Sequence, residues 1–135
     1  VTNIIQQIVS AGKIPIIIGG GHNNAYGNIK GTSLALKKPI NAINFDAHSD
    51  LRDTYEGTPY SHACFMSRVC EFMKPKSITQ VGIRAQCKEE AEFIVLQYLD
   101  QGLLDVAEDY AQKWGLNLAD FGEIKVYSDD EYDPS

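Results

Sequence analysis

The chain has 135 residues, a formal charge of −6 and 44% apolar residues. That length bounds it to one domain or part of one, with enough apolar residues for a core. The acidic balance, with no Lys/Arg cluster, argues against a nucleic-acid surface, and neither a membrane-length apolar run nor a signal-peptide pattern is present.

Taken in chain order, Ile4, Ile5, Ile8 and Val9 fall at helical spacing, and Gly12 follows as a C-cap. Ile14 to Ile18 is a short continuous apolar run, which predicts a buried parallel strand with Pro15 near its start. Gly19-Gly20-Gly21 ends that strand. A helix is predicted over Asn24 to Leu36, although Gly27 and Gly31 weaken it. Pro39 breaks the chain before a strand over Ile40 to Phe45, and Asp46 to Ser61 reads as a polar loop. His62 to Met73 then reads as a helix and Ser77 to Ile83 as a strand. Two amphipathic helices follow, over Lys88 to Leu99 and Asp105 to Trp114, and a last short strand over Glu123 to Tyr127. Such alternation predicts an α/β domain with a parallel β-sheet flanked by helices. In such sheets ligands bind outside the carboxyl ends of the strands.

Two groups of metal-type residues stand at such strand ends. Asp46, His48 and Asp50 alternate at i, i+2 and i+4 directly after an apolar run. On an extended strand this period sends all three side chains to one face. Capping of the next turn explains one Asp. It explains three alternating residues poorly, because buried carboxylates without cations are costly. Carboxylate and imidazole together suit a divalent first-row metal such as manganese. His22, alone, would be read as structural; its place at the neighbouring strand end makes it a further candidate ligand. Two carboxylates and two histidines could seat parts of two metals around a shared carboxylate, a site able to generate hydroxide. The Gly-rich turn matches no phosphate-binding pattern. Cys64, Cys70 and Cys87 are odd in number and lack a C-x-x-C pair, which predicts free thiols and a reduced, cytoplasmic setting.

Gly-Gly-Gly-His at 19–22, Asn-Phe-Asp-Ala-His-Ser-Asp at 44–50 and Val-Gly-Ile-Arg at 81–84 resemble, in that order, the arginase (ureohydrolase) family. The likeness runs from Ile14 to Arg84 and more loosely to Leu99. It implies an α/β/α fold and a binuclear manganese centre that hydrolyses C–N bonds of guanidino or formimidoyl groups. It makes His22, Asp46, His48 and Asp50 metal ligands, with Asp46 bridging two Mn2+ ions. His62 takes the place of the family's proton-shuttling histidine; a surface role for it stays open.

Within the family, Gly19 to Gly27 and Asp46 to Arg52 resemble formimidoylglutamases, whereas arginases carry a neutral amide at the place of Arg52. An Arg fork can hold a carboxylate in bidentate fashion, so Arg52 is the expected substrate-binding residue; the alternative is a pair with Asp53, Glu56 or a ligand carboxylate. The expected reaction takes N-formimidoyl-L-glutamate to L-glutamate and formamide. The alternatives are a guanidino hydrolase of the arginase or agmatinase type and a non-catalytic metal-binding member. Asn23 departs from the acidic residue that formimidoylglutamases resembling this chain would place after His22. The expected partner is a small-molecule amidine, with no nucleic acid and no membrane, and homo-oligomerisation is open.

The family completes its metal shell with Ser-x-Asp-x-Asp-x-x-Asp-Pro. Here Ser128 to Pro134 is only superficially similar, with Asp130 as the candidate ligand. The chain is therefore expected to be a partial arginase-like metallohydrolase domain over residues 1–135, incomplete on its C-terminal side, with the remaining ligands beyond Ser135. A related deacetylase fold that uses one zinc is disfavoured by His22 and Asp50, the extra ligands a second metal needs.

Overall fold

The structure is a computed structural model, and it describes residues 1–121. These fall into two units, Val1–Ala85 and a second that begins at Gln86. The predicted strand over Glu123 to Tyr127 and the candidate ligand Asp130 lie outside the described residues.

In the first unit, helix α1 (Thr2–Ser10) packs against helix α2 (Asn24–Leu36). Gly27 and Gly31 are the buried residues of α2. A Cβ at Gly27 would stand 2.7 Å from the Val1 Cβ, and one at Gly31 would stand 2.5 Å from the Thr2 carbonyl oxygen. The glycines that weaken helix propensity are thus what lets the two backbones approach, and packing outweighs propensity. Helix α2 ends at Lys37 in a left-handed conformation, two residues before Pro39.

Strand β1 (Ala42–Phe45) and strand β2 (Ile78–Val81) pair in parallel, with Ala42 opposite Ile78 and Phe45 opposite Val81. Helix α3 (Phe65–Cys70) and a 3-10 turn (Pro75–Ser77) connect them. Beyond the strand ends His48 bridges to Ala85, again in parallel. The expected parallel α/β architecture is present. On one sheet face Ala42, Asn44, Ile78 and Gln80 are half-buried; on the other Ile43, Phe45 and Val81 are exposed. The core residues of this unit include Ile5, Leu51, Phe65, Met66, Val69 and Met73.

The segment Ile14 to Ile18 corrects the sequence reading. It forms no strand among the described residues, and Ile14, Ile16 and Ile18 are exposed. β-branched composition favours a strand only where a neighbour offers a ladder and a packed face. The described sheet has two strands, neither of which pairs with this segment. The predicted helix over His62 to Met73 is shorter than expected at both ends.

The second unit is a helical hairpin of α4 (Lys88–Asp100) and α5 (Leu104–Lys113), closed by a 3-10 turn (Leu118–Phe121). A capping box starts α4, in which the Cys87 N–H donates to Glu90 Oε2 at 2.9 Å. Val95, Leu99, Ala107 and Ala111 form its core, with Tyr98, Tyr110 and Phe121 packed against it. All three cysteines are free thiols, as expected. Among the described residues no helix is long and apolar enough to cross a membrane.

Candidate metal centre

The Gly-rich turn delivers His22. Gly19 and Gly20 both have positive φ (+86° and +81°), a conformation open to glycine at little cost. A side chain at Gly20 would collide with Asn24, and one at Gly21 would press on Asn23 Oδ1 at 2.8 Å. The chain then enters α2, leaving the His22 imidazole half-buried. Phe65, the first residue of α3, packs its ring against that imidazole, with centroids 4.2 Å apart and planes tilted by 44°.

Asp46 and Asp50 reach the same point from the end of β1. The Asp46 N–H donates to the Val81 carbonyl at 3.1 Å. Gly82, with φ of +90°, leaves room for this approach: a Cβ there would sit 3.2 Å from the Asp46 carbonyl oxygen. Arg84 and Ala85 both donate N–H bonds to the Ala47 carbonyl, and Gln80 Nε2 donates to the Ser49 carbonyl at 2.8 Å. The Val81–Arg84 motif is therefore the clamp that holds the Asp46–Asp50 loop.

Asp50 departs from the extended strand that the alternating pattern predicts. Its φ is +53°, a left-handed conformation that Asp tolerates better than most residues. This turn directs its carbonyl oxygen to the N–H groups of Met66 and Ser67 in the first turn of α3, at 3.1 and 3.4 Å. Two otherwise orphaned helix donors are satisfied, and the carboxylate faces His22.

His22 Nδ1 lies 2.8 Å from Asp50 Oδ2 and 2.9 Å from Asp46 Oδ2. His22, Asp46 and Asp50 each offer one ligand atom, all within 4.8 Å of one another. His48 is not in this group. Its side chain is 66% exposed, with Nδ1 3.4 Å from Asp46 Oδ1, and its own N–H donates to Asp46 Oδ1 at 2.9 Å. The single face expected for Asp46, His48 and Asp50 is thus corrected: the loop curls after β1, and two of the three converge.

The two carboxylates are driven in opposite directions. Desolvation opposes ionisation of Asp46, but the His48 N–H, the charge of His22 and the Ala47 N–H outweigh it and hold its carboxyl below the usual range. At Asp50 desolvation wins over the hydrogen bond and charge of His22, and its carboxyl is pushed up. A carboxylate only 6% exposed beside another carboxylate gains most from a cation. Two oxygens and one imidazole nitrogen are the donors that a divalent first-row ion accepts. The residues present fit such an ion.

His62 and Arg52 sit in the connecting loop. His62 lies in the turn before α3 rather than in the helix, and is exposed. A Cβ at Gly21 would stand 4.0 Å from its Cβ, so it neighbours the turn that carries His22. Arg52 has no ion pair among the described residues; its guanidinium stands over the Tyr55 ring, 5.2 Å from the centroid. The pair with Asp53 belongs instead to Arg68, at 2.5 Å, and Arg68 also pairs with Glu71 at 3.0 Å. Phe65 and Tyr55 are the residues that motif reading passes over, since neither is a usual ligand of such an ion; only the folded chain brings their rings to His22 and His62.

A model of the arginase family matches residues 1–127. An agmatinase of Bacillus anthracis is 38% identical over 90 residues, covering 66% of this chain and 30% of the relative. An N(1)-aminopropylagmatine ureohydrolase of Thermococcus kodakarensis is 44% identical over 80 residues, covering 59% of this chain and 25% of the relative. The crystal structure of agmatine ureohydrolase of Thermoplasma volcanium superposes with a TM-score of 0.61 at 32% identity, covering 82% of this chain and 39% of that one. The chain therefore spans well under two thirds of the length of these relatives.

Proposed function

Because the chain belongs to the arginase family, we propose that the protein is a metal-dependent hydrolase that cleaves a guanidino C–N bond, with agmatine-type amines as substrates. The observation that carries this reading is the convergence of His22 Nδ1, Asp46 Oδ2 and Asp50 Oδ2 at the carboxyl end of the sheet. Agmatinase and N(1)-aminopropylagmatine ureohydrolase among the relatives support a guanidino substrate. None of the relatives described above is a formimidoylglutamase, and Arg52, the residue that suggested an acidic substrate, has its guanidinium on Tyr55.

Manganese is the cation we assign; His22, Asp46 and Asp50 would hold it, and His48 would be a further ligand. When bound, the ions would acidify water and supply hydroxide at neutral pH. The chain's own residues do the rest. Phe65 fixes the His22 ring, and the Val81–Arg84 clamp fixes Asp46. The water oxygen joins the guanidino carbon, and the bond from that carbon to the alkyl-bearing nitrogen breaks. His62, exposed beside the Gly21 turn, delivers the proton that this nitrogen needs to leave as an amine. Urea and a primary amine are the products.

The test is product release by the intact protein with Mn2+. Urea from agmatine or N(1)-aminopropylagmatine is the expected result. Urea from arginine alone would keep the reaction and change the substrate. Formamide from N-formimidoyl-L-glutamate, with no urea from any guanidino compound, would overturn the proposal.

A further inference from the structure

An exposed imidazole that must hand over a proton needs an orientation, and the described residues offer His62 only one ring partner. Tyr55 meets it in a T-shaped contact, with centroids 5.5 Å apart and planes at 77°. Tyr55 is itself fixed from two sides. Its backbone opens a two-residue hairpin: the Tyr55 N–H donates to the Thr58 carbonyl at 3.0 Å, and the Thr58 N–H returns a bond at 3.1 Å. Glu56 and Gly57 between them both have positive φ, +50° and +79°, the pattern of a type I′ turn. From the other side the Arg52 guanidinium stands over its ring, within cation–π range. The Arg52 N–H donates to the Ala63 carbonyl at 3.2 Å, which ties the two ends of the loop one residue past His62. Arg52, Tyr55 and His62 thus form a continuous line of contacts inside a closed loop.

We propose that Tyr55, braced by Arg52, is a positioning residue that holds the His62 imidazole in the rotamer from which it transfers its proton. The proposal rests on the reading of His62 as the proton carrier. It gives Arg52 a role in the loop rather than as a receptor for a substrate carboxylate. The contact is made by the Tyr55 ring, not by its hydroxyl, so a phenylalanine should serve. An aromatic pair of this kind favours one arrangement by roughly 2- to 10-fold.

The experiment is a kinetic cycle on the Mn2+-loaded intact protein. Tyr55→Leu should lower kcat roughly 3- to 10-fold with KM and manganese content unchanged, and Tyr55→Phe should restore kcat. Arg52→Gln should give a smaller loss in kcat. In a His62→Ala background, where proton transfer is already lost, Tyr55→Leu should cost nothing more. A full loss again in that double variant, or a loss confined to KM, would overturn the positioning role. Unchanged kcat in His62→Ala would instead overturn the reading of His62 itself. Should Tyr55→Leu fail to fold, the His62 ring proton resonances of the metal-free intact protein decide: Arg52→Gln should shift them and Tyr55→Phe should leave them near their original positions, and an unshifted Arg52→Gln or a shifted Tyr55→Phe spectrum would sink the proposal.

Discussion

The residue that turns a loop into a site is Asp50. Its left-handed backbone serves two ends at once, with the carbonyl on the first turn of α3 and the carboxylate on His22. Replacing it by Asn keeps the shape and removes the charge. Asp50→Asn should weaken Mn2+ binding by more than about 100-fold, beyond the roughly 10- to 100-fold loss expected for a residue that only supports a ligand, as read by isothermal titration of the intact protein. Wild-type affinity in that variant would remove Asp50 from the ligand set. Cys70 shows a different single-residue effect: burial, aided by the Glu71 charge, pushes its thiol from 9.0 up to about 11. The unfolded chain therefore releases this proton first. Its contribution to stability is whole below about pH 9 and lost as pH rises toward about 11. Denaturant melts at pH 8 and pH 10.5 should show a drop that Cys70→Ala reduces.

At the scale of elements, spacing sets the outcome more than propensity. Helix α2 carries two internal glycines because α1 lies across them. Gly31→Ala gains helix propensity of about 1 kcal/mol but forces a methyl group against the Thr2 carbonyl and Ile5. Overpacking of this kind costs roughly 1–3 kcal/mol, so the net effect should be destabilising by up to about 2 kcal/mol. In chemical denaturation, a stabilised Gly31→Ala protein would show that the helices move apart freely. The two glycines were legible as breakers; their meaning was not, because it depends on a helix that lies elsewhere in sequence. Likewise the Asp46–His48–Asp50 alternation pointed to a metal-type site, and Asp46 and Asp50 do converge on His22, while the strand geometry drawn from it did not hold. The hydrogen bonds from α3 to the Asp50 carbonyl impose a curl that no local pattern encodes.

For the molecule as a whole, the apolar surface left in the open is the main physical consequence. Ile43, Phe45 and Val81 stand exposed on one face of the sheet, and Ile14, Ile16 and Ile18 are exposed before the Gly-rich turn. Patches of this kind drive association, and among the described residues the two strands have no further strand partner at their outer edges. The 135-residue chain by itself should bind a hydrophobic dye and self-associate at micromolar concentration, as read by fluorescence and light scattering. A monodisperse, cooperatively melting sample would contradict this. The amino-acid sequence by itself determined the family, through the likeness of its ordered motifs, and the parallel α/β alternation, through strand–helix periodicity, because both are written locally. Only the tertiary structure decided that Asp46 and Asp50 converge on His22 while His48 stays outside, that Arg52 stands on Tyr55, and that Ile14 to Ile18 lacks a strand partner. Each of these depends on contacts between distant segments, which set backbone conformation and burial where local preference is too weak to choose.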